Sequence, residues 1–314
     1  MEFVILDLEW NGTYCRRSKG FINEIIEFGA IKVDENLNII STFSHLVRPQ
    51  IGKKISGKIK TLTNLTNEQL AGGMHFMQVV SRFRKWMGDA VLLTWGVADI
   101  LTLIENFKYY CGGSGKIPFL KQYVNLQSYC AGLVYEDETK LMGLSSLAEQ
   151  LGIDQDDIEH HRALDDSLLS LRCFRRLYAP DLIAGQVEQV DNRFYEKITF
   201  KTVIVCDLSN PLIQRQDLLF HCDCCGRLAH RETDWVLKNK SYRANFHCNN
   251  CNHRFYGKLQ FKLKYDGLVV RKNVLPYEEP VVVVQERKEK KEVNVVRRVN
   301  KCGVAKKAAE DAER

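Results

Sequence analysis

The most constraining feature lies at the very start of the chain. Phe3-Val4-Ile5-Leu6 is wholly apolar, and Asp7-Leu8-Glu9 follows at once. A short continuous apolar run suits a strand covered on both faces. Side chains at i and i+2 of a strand share a face, so Asp7 and Glu9 leave this strand side by side. Two carboxylates at the exit of a buried strand are costly unless they reach solvent or a cation neutralises them. Hard ions such as Mg²⁺ prefer oxygen ligands. The pair alone leaves both readings open.

The residues that follow predict more strands and then helices. Residues 24–33 are rich in Ile, Phe and Val and form a second strand, Asp34-Glu35-Asn36 a turn, and Ile39 to Val47 a third strand ended by Pro49. Thr66-Asn67-Glu68-Gln69 has the form of a capping box. Phe76, Val79, Val80, Phe83 and Met87 recur at helical spacing, Val91-Leu92-Leu93 reads as a buried strand, and Ile100 to Cys111 as a helix. A fifth strand is expected over 124–130, then a short helix from Leu144 stopped by Gly152, then a last helix from Leu164 to Tyr178 before Pro180. This order predicts a mixed α/β sheet with helices packed on it.

The chain has 314 residues, enough for roughly two domains. The expected division is a domain over 1–180, a linker over 181–192, a small β-rich domain over 193–275 and a charged tail over 276–314. The tail holds segments such as Glu286 to Glu292 that lack core-forming residues, and disorder is expected there. Hydrophobic residues at 45% and charged residues at 27% exclude a wholly disordered chain, a collagen-like repeat and a multispan membrane protein. No apolar run reaches about 18 residues and the N-terminus lacks signal-peptide character, so no membrane contact and a cytoplasmic location are expected. Residues 1–180 carry 20 Lys and Arg against 21 Asp and Glu, whereas 181–314 carry 25 against 18. The positive excess thus sits in the C-terminal part, as it does in proteins that bind polyanions.

Two further segments carry chemistry. Asp99 follows the strand at 91–93 across Thr94-Trp95-Gly96-Val97-Ala98 and starts a helix. Viewed alone, it could be an acid placed favourably in a first helical turn. His160-His161-Arg162-Ala163-Leu164-Asp165-Asp166-Ser167 straddles the start of the last helix. Taken together, Asp7-Leu8-Glu9, Gly96-x-x-Asp99 and His161-x-x-x-x-Asp166 resemble the three motifs of the DEDDh 3′–5′ exonucleases, the superfamily of the DNA polymerase III proofreading subunit. The resemblance covers roughly residues 1–178 and extends to Glu24 through Ile31 and Leu144 through Ile153.

That resemblance implies a ribonuclease H-like fold and a two-metal reaction using Mg²⁺ or Mn²⁺, with Asp7, Glu9, Asp99 and Asp166 as metal ligands. It implies His161 as general base, a role that suits an imidazole titrating near neutral pH. His160 and Asp165 have the same separation as His161 and Asp166; the family's phase selects the 161/166 pair. Products would be nucleoside 5′-monophosphates released from a 3′ end. Many members have Thr after the first-motif Glu, and here Trp10 and then Asn11 follow. Trp10 and Asn11 are therefore candidate contacts to the terminal nucleotide, Trp10 through stacking, although Trp10 could equally pack at the sheet edge. The Thr-Trp-Gly-x-x-Asp form looks more like the branch that trims RNA ends than the proofreading branch.

Cys222-x-x-Cys225 and Cys248-x-x-Cys251 stand 22 residues apart. Paired knuckles of this kind fit one structural Zn²⁺ held by four thiolates in a zinc ribbon. Cys224 is the spare thiol, and His221, His247 and His253 are alternative ligands. The surrounding Lys and Arg residues are interleaved with Trp235, Tyr242, Phe246, Phe255, Tyr256 and Phe261, a pattern that suits single-stranded nucleic acid, or else a basic face over an aromatic core. The expected activity is a 3′–5′ exonuclease acting on single-stranded RNA or DNA 3′ ends, with RNA favoured. The ribbon or the basic tail would be the place for a protein partner. The alternatives are a DNA proofreading or repair exonuclease and a non-catalytic nucleic-acid-binding scaffold.

Overall fold

The computed structural model describes residues 1–113, 115–135 and 142–277. The apolar N-terminal run opens strand β1 (Phe3–Cys15), which turns back into β2 (Gly20–Val33) and then β3 (Ile39–Leu46), each pair antiparallel. There follow α1 (Gly57–Thr63), α2 (Asn67–Ala71), α3 (Phe76–Met87), β4 (Val91–Thr94), α4 (Ala98–Cys111), β5 (Gln122–Asn125) and α5 (Leu126–Val134). The series continues with α6 (Leu144–Gln150), α7 (Ala163–Leu177), α8 (Pro180–Gly185), β6 (Glu188–Gln189) and α9 (Asn192–Thr199). The strands lie in the order β3-β2-β1-β4-β5-β6. β1, β4 and β5 are mutually parallel, and β1 and β4 sit in the middle, as the apolar runs Phe3 to Leu6 and Val91 to Leu93 require.

Alternation along β1 divides the core. Val4, Leu6 and Leu8 pack with Val79 and Phe83 of α3 and Leu103 and Phe107 of α4. Phe3 and Ile5 pack on the other face with Leu171, Cys173 and Phe174 of α7. Asp7 and Glu9 continue that second face toward the start of α7. Between Glu9 and Trp10 the register with β2 slips by one residue, because Ile26 has no partner on β1. This bulge frees Ile26 to join Ile55, Leu65 and Leu70 in a satellite core under α1 and α2.

Helix α7 docks unusually close to β2. Gly29 lies opposite Asp7, and a Cβ there would stand 2.0 Å from the Ala163 carbonyl carbon and 2.1 Å from the Leu164 nitrogen. The Ser167 hydroxyl donates to the Gly29 carbonyl at 2.9 Å. Glu27, 1% exposed, accepts from Arg162 Nη2 at 2.8 Å and from its Nε at 3.2 Å, just ahead of the helix. A buried carboxylate with a bidentate guanidinium partner is a directional tie, and it sets the position of the segment on which His161 and Asp166 are carried.

Two stretches differ from expectation. The fifth strand ends at Asn125, not at residue 130. The Asn125 side chain accepts the Ser128 N–H at 3.1 Å and caps α5, so 126–130 are helical. Residues 181–192, expected as a linker, contain most of α8 and all of β6. Phe194 of α9 is buried in the core on the α3 and α4 side.

The chain divides into two compact units. Among the described residues, the first comprises Met1–Leu218, Leu237–Ser241 and Leu259–Arg271; the second comprises Leu219–Val236, Tyr242–Lys258 and residues 272–277. The remaining strands are β7 (Val203–Val205), β8 (Phe220–His221), β9 (Leu228–Arg231), β10 (Val236–Lys238), β11 (Ser241–His247), β12 (Arg254–Lys264) and β13 (Gly267–Pro276). The second unit is built on an aromatic cluster. Phe246 and Phe255 stack with centroids 5.5 Å apart, and Phe220 lies 4.7 Å from Phe246. From residue 278 on, the expected tail lies outside the described residues.

The docking geometry predicts that Gly29→Ala drives α7 off the sheet. Thermal unfolding should show Tm lowered by about 6 °C or more, the scale of backbone overpacking in a domain of this size. An unchanged Tm would mean that the α7 docking tolerates a methyl group.

Candidate active site and cysteine cluster

Three segments meet at the exit of β1. Asp7 and Glu9 come from the strand itself. Asp99 comes from the first turn of α4, where it is 3% exposed and accepts the Leu8 N–H at 3.1 Å. The turn that delivers it needs Gly96. This residue has φ +85°, a conformation that disfavours a side chain, and a Cβ would lie 2.9 Å from Gln127 Oε1. Its carbonyl accepts from Thr94 Oγ1 at 2.5 Å and from the Tyr123 hydroxyl at 2.8 Å, so both neighbouring strands hold the turn. Asp166 comes from the first turns of α7.

Burial first, and repulsion from neighbouring acids second, raises the pKa of all four carboxylates. Burial pushes Glu9 up to about 8, with repulsion from Asp166, Glu27 and Asp99 adding and Arg162 partly opposing. Burial also takes Asp99 to about 7, although N–H donation from Leu8 opposes it. Asp7 is raised well above the ordinary range, by burial first and then by Asp99, Asp166, Glu9 and Glu27. Asp166 is raised by burial, against N–H donation from His161 and the pull of both histidines. Such a cluster lacks counter-charge, and Arg162 is already engaged by Glu27. Four oxygen donors that resist ionisation for want of positive charge fit a divalent-cation site.

The structure separates the tandem acids and leaves both histidines near the site. Asp166 Oδ2 accepts the His161 backbone N–H at 2.9 Å, and Glu9, His161 and Asp166 bring ligand atoms within 4.8 Å of one another. His161 is exposed and has φ +64°, the left-handed region that non-glycine residues seldom occupy. His160 Nδ1 stands 3.8 Å from Asp166 Oδ1. Asp165 is not among the clustered ligand groups; its charge raises the Asp166 carboxyl and also acts on Arg162 and Arg172.

Trp10 is half-buried against the core on the α3 and α4 side. Asn11, expected at the substrate, is 3% exposed, and its Oδ1 accepts the Ser56 N–H at 3.0 Å. The side chain fastens the segment after β3 and is not open to a nucleotide. Glu27 and Arg162 escaped attention in the sequence. The available signal was two acids, Glu24 and Glu27, inside an otherwise apolar strand, each of which needs a partner once buried.

The second unit holds a separate site. Sγ of Cys222 lies 3.5 Å from that of Cys251, and Sγ of Cys225 lies 3.4 Å from that of Cys248. All four sulfurs fall within 4.8 Å of one another. A tetrahedral ion with bonds of about 2.3 Å to sulfur sets its ligands about 3.8 Å apart, so the four thiols fit one. The knuckles repeat each other. Gly226 N–H bonds to Cys222 O and Asn252 N–H to Cys248 O, each at 2.8 Å, with Gly226 and Asn252 both at positive φ. The Arg227 N–H and the Cys248 thiol pull the Cys225 thiol down, whereas burial and the neighbouring thiols push Cys251 up, as sulfurs packed together without a cation must share protons. Cys224 is exposed and outside the set, and His221, His247 and His253 do not belong to it.

The raised carboxylates give a signed prediction. A group whose folded pKa exceeds its unfolded value stabilises the fold below the unfolded pKa and loses that contribution as pH rises through the folded one. For Glu9 and Asp99 the window runs from about pH 4 to about pH 8. In EDTA, Tm should therefore fall as pH rises from 5 to 8. Asp99→Asn, which can still accept the Leu8 N–H, should lessen the fall, and a divalent cation should restore Tm at the alkaline end. A metal-free Tm that rises over that interval would contradict the electrostatic account.

The sequence model of the RNase T exonuclease family matches residues 4–174. The probable 3′–5′ exonuclease KapD of Bacillus subtilis is 30% identical over 179 residues, 55% of this chain and 82% of the relative. The DNA polymerase III subunit epsilon of Aquifex aeolicus is 30% identical over 176 residues, 56% of this chain and 79% of the relative. The solved nuclease domain of 3′hExo, a DEDDh family member bound to rAMP, is 26% identical and superposes with a TM-score of 0.50 over 60% of this chain and 96% of that domain. The mixed sheet with its flanking helices is therefore ribonuclease H-like. With the three motifs brought to one place, the chain belongs to the RNase T exonuclease family, as a DEDDh 3′–5′ exonuclease.

Proposed function

We propose that the chain removes nucleoside 5′-monophosphates one at a time from the 3′ end of single-stranded RNA. The observation that supports this reading best is the convergence of Asp7, Glu9, Asp99 and Asp166, all with raised pKa, beside His161. The four carboxylates would hold two Mg²⁺ or Mn²⁺ ions. When bound, such ions stabilise the attacking and the leaving oxygen of a phosphodiester. Asp166 fixes the His161 backbone from the first turns of α7, and the exposed imidazole is free to accept a proton from the attacking water. The water oxygen bonds to phosphorus, the P–O3′ bond breaks, and the shortened strand leaves with its own 3′ hydroxyl.

RNA is favoured over DNA because the 3′hExo nuclease domain was solved with rAMP and because Thr94-Trp95-Gly96-Val97-Ala98-Asp99 resembles the RNA-end-trimming branch. The similarity to a DNA polymerase III subunit keeps DNA as the second reading. Incubation of 5′-labelled single-stranded RNA and DNA with Mg²⁺ or Mn²⁺ separates the two. Asp7→Ala or Asp166→Ala should abolish shortening of either strand with the fold intact. His161→Ala should lose about 10²-fold or more, the scale of general-base removal, and His160→Ala much less. Full activity in Asp7→Ala would overturn the two-metal assignment, and the opposite ranking of the histidines would move the base to His160.

The cysteine cluster is proposed to hold one structural Zn²⁺, since four thiolates leave no open position for water or substrate. Its unit would help hold nucleic acid through Arg and Lys contacts to phosphate, because Phe246 and Phe255 are spent in its own core. Cutting the chain at residue 193 would remove Phe194 from the first unit's core, so point substitutions are the cleaner probe. Metal analysis should find one zinc per chain, lost in Cys222→Ser and Cys251→Ser. These variants should bind long oligonucleotides more weakly while still cleaving short ones. Unchanged binding and salt dependence would point instead to a protein-docking ribbon.

A further inference from the structure

Residues 50–64 form a wall fastened to the active site by polar anchors. Glu24, 1% exposed, accepts the N–H groups of Gln50, Ile51 and Gly52 at 2.5, 2.7 and 2.9 Å, and the Tyr110 hydroxyl at 3.2 Å. Asn11, two residues beyond Glu9, takes the Ser56 N–H. Ile55 is buried against the bulge residue Ile26. Past α1, Asn64 Nδ2 donates to Glu159 Oε1 at 3.4 Å, two residues before His161. The near end of the wall is thus tied to β2, its middle to the strand of Glu9, and its far end to the segment of His161. A buried carboxylate engaged by three successive N–H groups rigidifies a loop well beyond what a chain reversal needs.

What this wall presents is basic. Lys53, Lys54, Lys58 and Lys60 are all exposed, and among the described residues none of them forms an ion pair. Glu68 is the acid near enough to feel Lys60 and Lys54; its carboxyl is lowered chiefly by its own N–H and the Thr66 hydroxyl at the start of α2. We infer that the wall is the track for the phosphodiester backbone of single-stranded nucleic acid upstream of the 3′ end. This rests on the exonuclease reading and extends it to the part of the strand that is not being cut. A polyanion entering a site floored by four carboxylates meets repulsion. Lysines held on a rigid wall beside that floor offset it, and they release counterions without reading sequence. The wall therefore governs affinity and salt dependence, and leaves the cleavage step to the carboxylates and His161.

The test compares the full chain with a triple variant, Lys53→Ala, Lys54→Ala and Lys58→Ala, and with Lys85→Ala on α3 as a control. Binding is read by anisotropy on a phosphorothioate RNA of about a dozen nucleotides, a length that spans a typical single-strand site. Cleavage is read on the p-nitrophenyl ester of a nucleoside 5′-monophosphate, which has no upstream phosphate. The triple variant should keep its Tm and its ester hydrolysis. Its oligonucleotide affinity should fall roughly tenfold or more, and the slope of log K against log salt should flatten by about 2. The Lys→Arg triple should retain the slope, and Lys85→Ala should match the wild type. Unchanged affinity and slope in the alanine triple would overturn the track. So would loss of ester hydrolysis at unchanged Tm, which would place the lysines in the cleavage step. A wild-type chain that cleaves neither substrate would sink the exonuclease reading itself, while the binding slopes would still judge the wall.

Discussion

The close approach of α7 to β2 is the contact on which the catalytic geometry depends. Asp7 and Glu9 are fixed by the central strand, and Asp99 by a turn clamped between Thr94 and Tyr123. His161 and Asp166, by contrast, arrive from more than a hundred residues downstream on a helix that must be seated on the sheet. Three features seat it. Gly29 removes the Cβ that would collide with Ala163, Ser167 bonds to the Gly29 carbonyl, and Glu27 grips Arg162. None of these belongs to the cluster of Asp7, Glu9, Asp99 and Asp166. Each decides whether two groups on different elements stand within ångströms of each other, and misplacement on that scale is enough to cost a large part of an enzyme's rate.

The same docking creates the electrostatic strain of the site. Glu9 and Glu27 are register partners across β1 and β2, and Arg162, hydrogen-bonded to Glu27, offsets the rise of Glu9 only in part. Asp7, Glu9, Asp99 and Asp166 are left together in a confined space, and the rise in their pKa values expresses the cost of burying them first and of repulsion second. A fold can hold such a cluster only because apolar packing on both faces of β1 supplies the compensating stability. The cost has a use. It leaves the site short of positive charge, and divalent cations are the partners that relieve it.

The two units hold their structure by different means. The first has large apolar clusters on both faces of a six-stranded sheet. The second has a small aromatic cluster around Phe220, Phe246 and Phe255, together with two knuckles that bring four sulfurs together. For a unit with so little apolar material, a metal held by the four thiols would add its binding free energy to folding. The aromatics that look in the sequence like a stacking platform are largely consumed in that cluster: Phe246 and Phe255 are at most 1% exposed.

Local patterns in the chain determined a good deal. The apolar run at 3–6, the capping box at Thr66, the helical spacing from Phe76 to Met87 and the paired knuckles each depend on near neighbours, and each is found where expected. The spacing of the motifs that carry Asp7, Glu9, Asp99, His161 and Asp166 was legible without knowledge of the intervening packing, and the fold brings these residues together. The tertiary structure alone decided the rest. The sequence pattern could not show that Asn11 faces Ser56, because that contact spans 45 positions and depends on where the segment after β3 returns. Nor could it show that β5 stops at Asn125, since a side-chain cap competes there with an equally apolar strand pattern. The roles of Gly29, Glu27 and Arg162 exist only once α7 lies on β2. Burial makes a partner obligatory for a carboxylate, but only the fold says which residue, 135 positions away, supplies it.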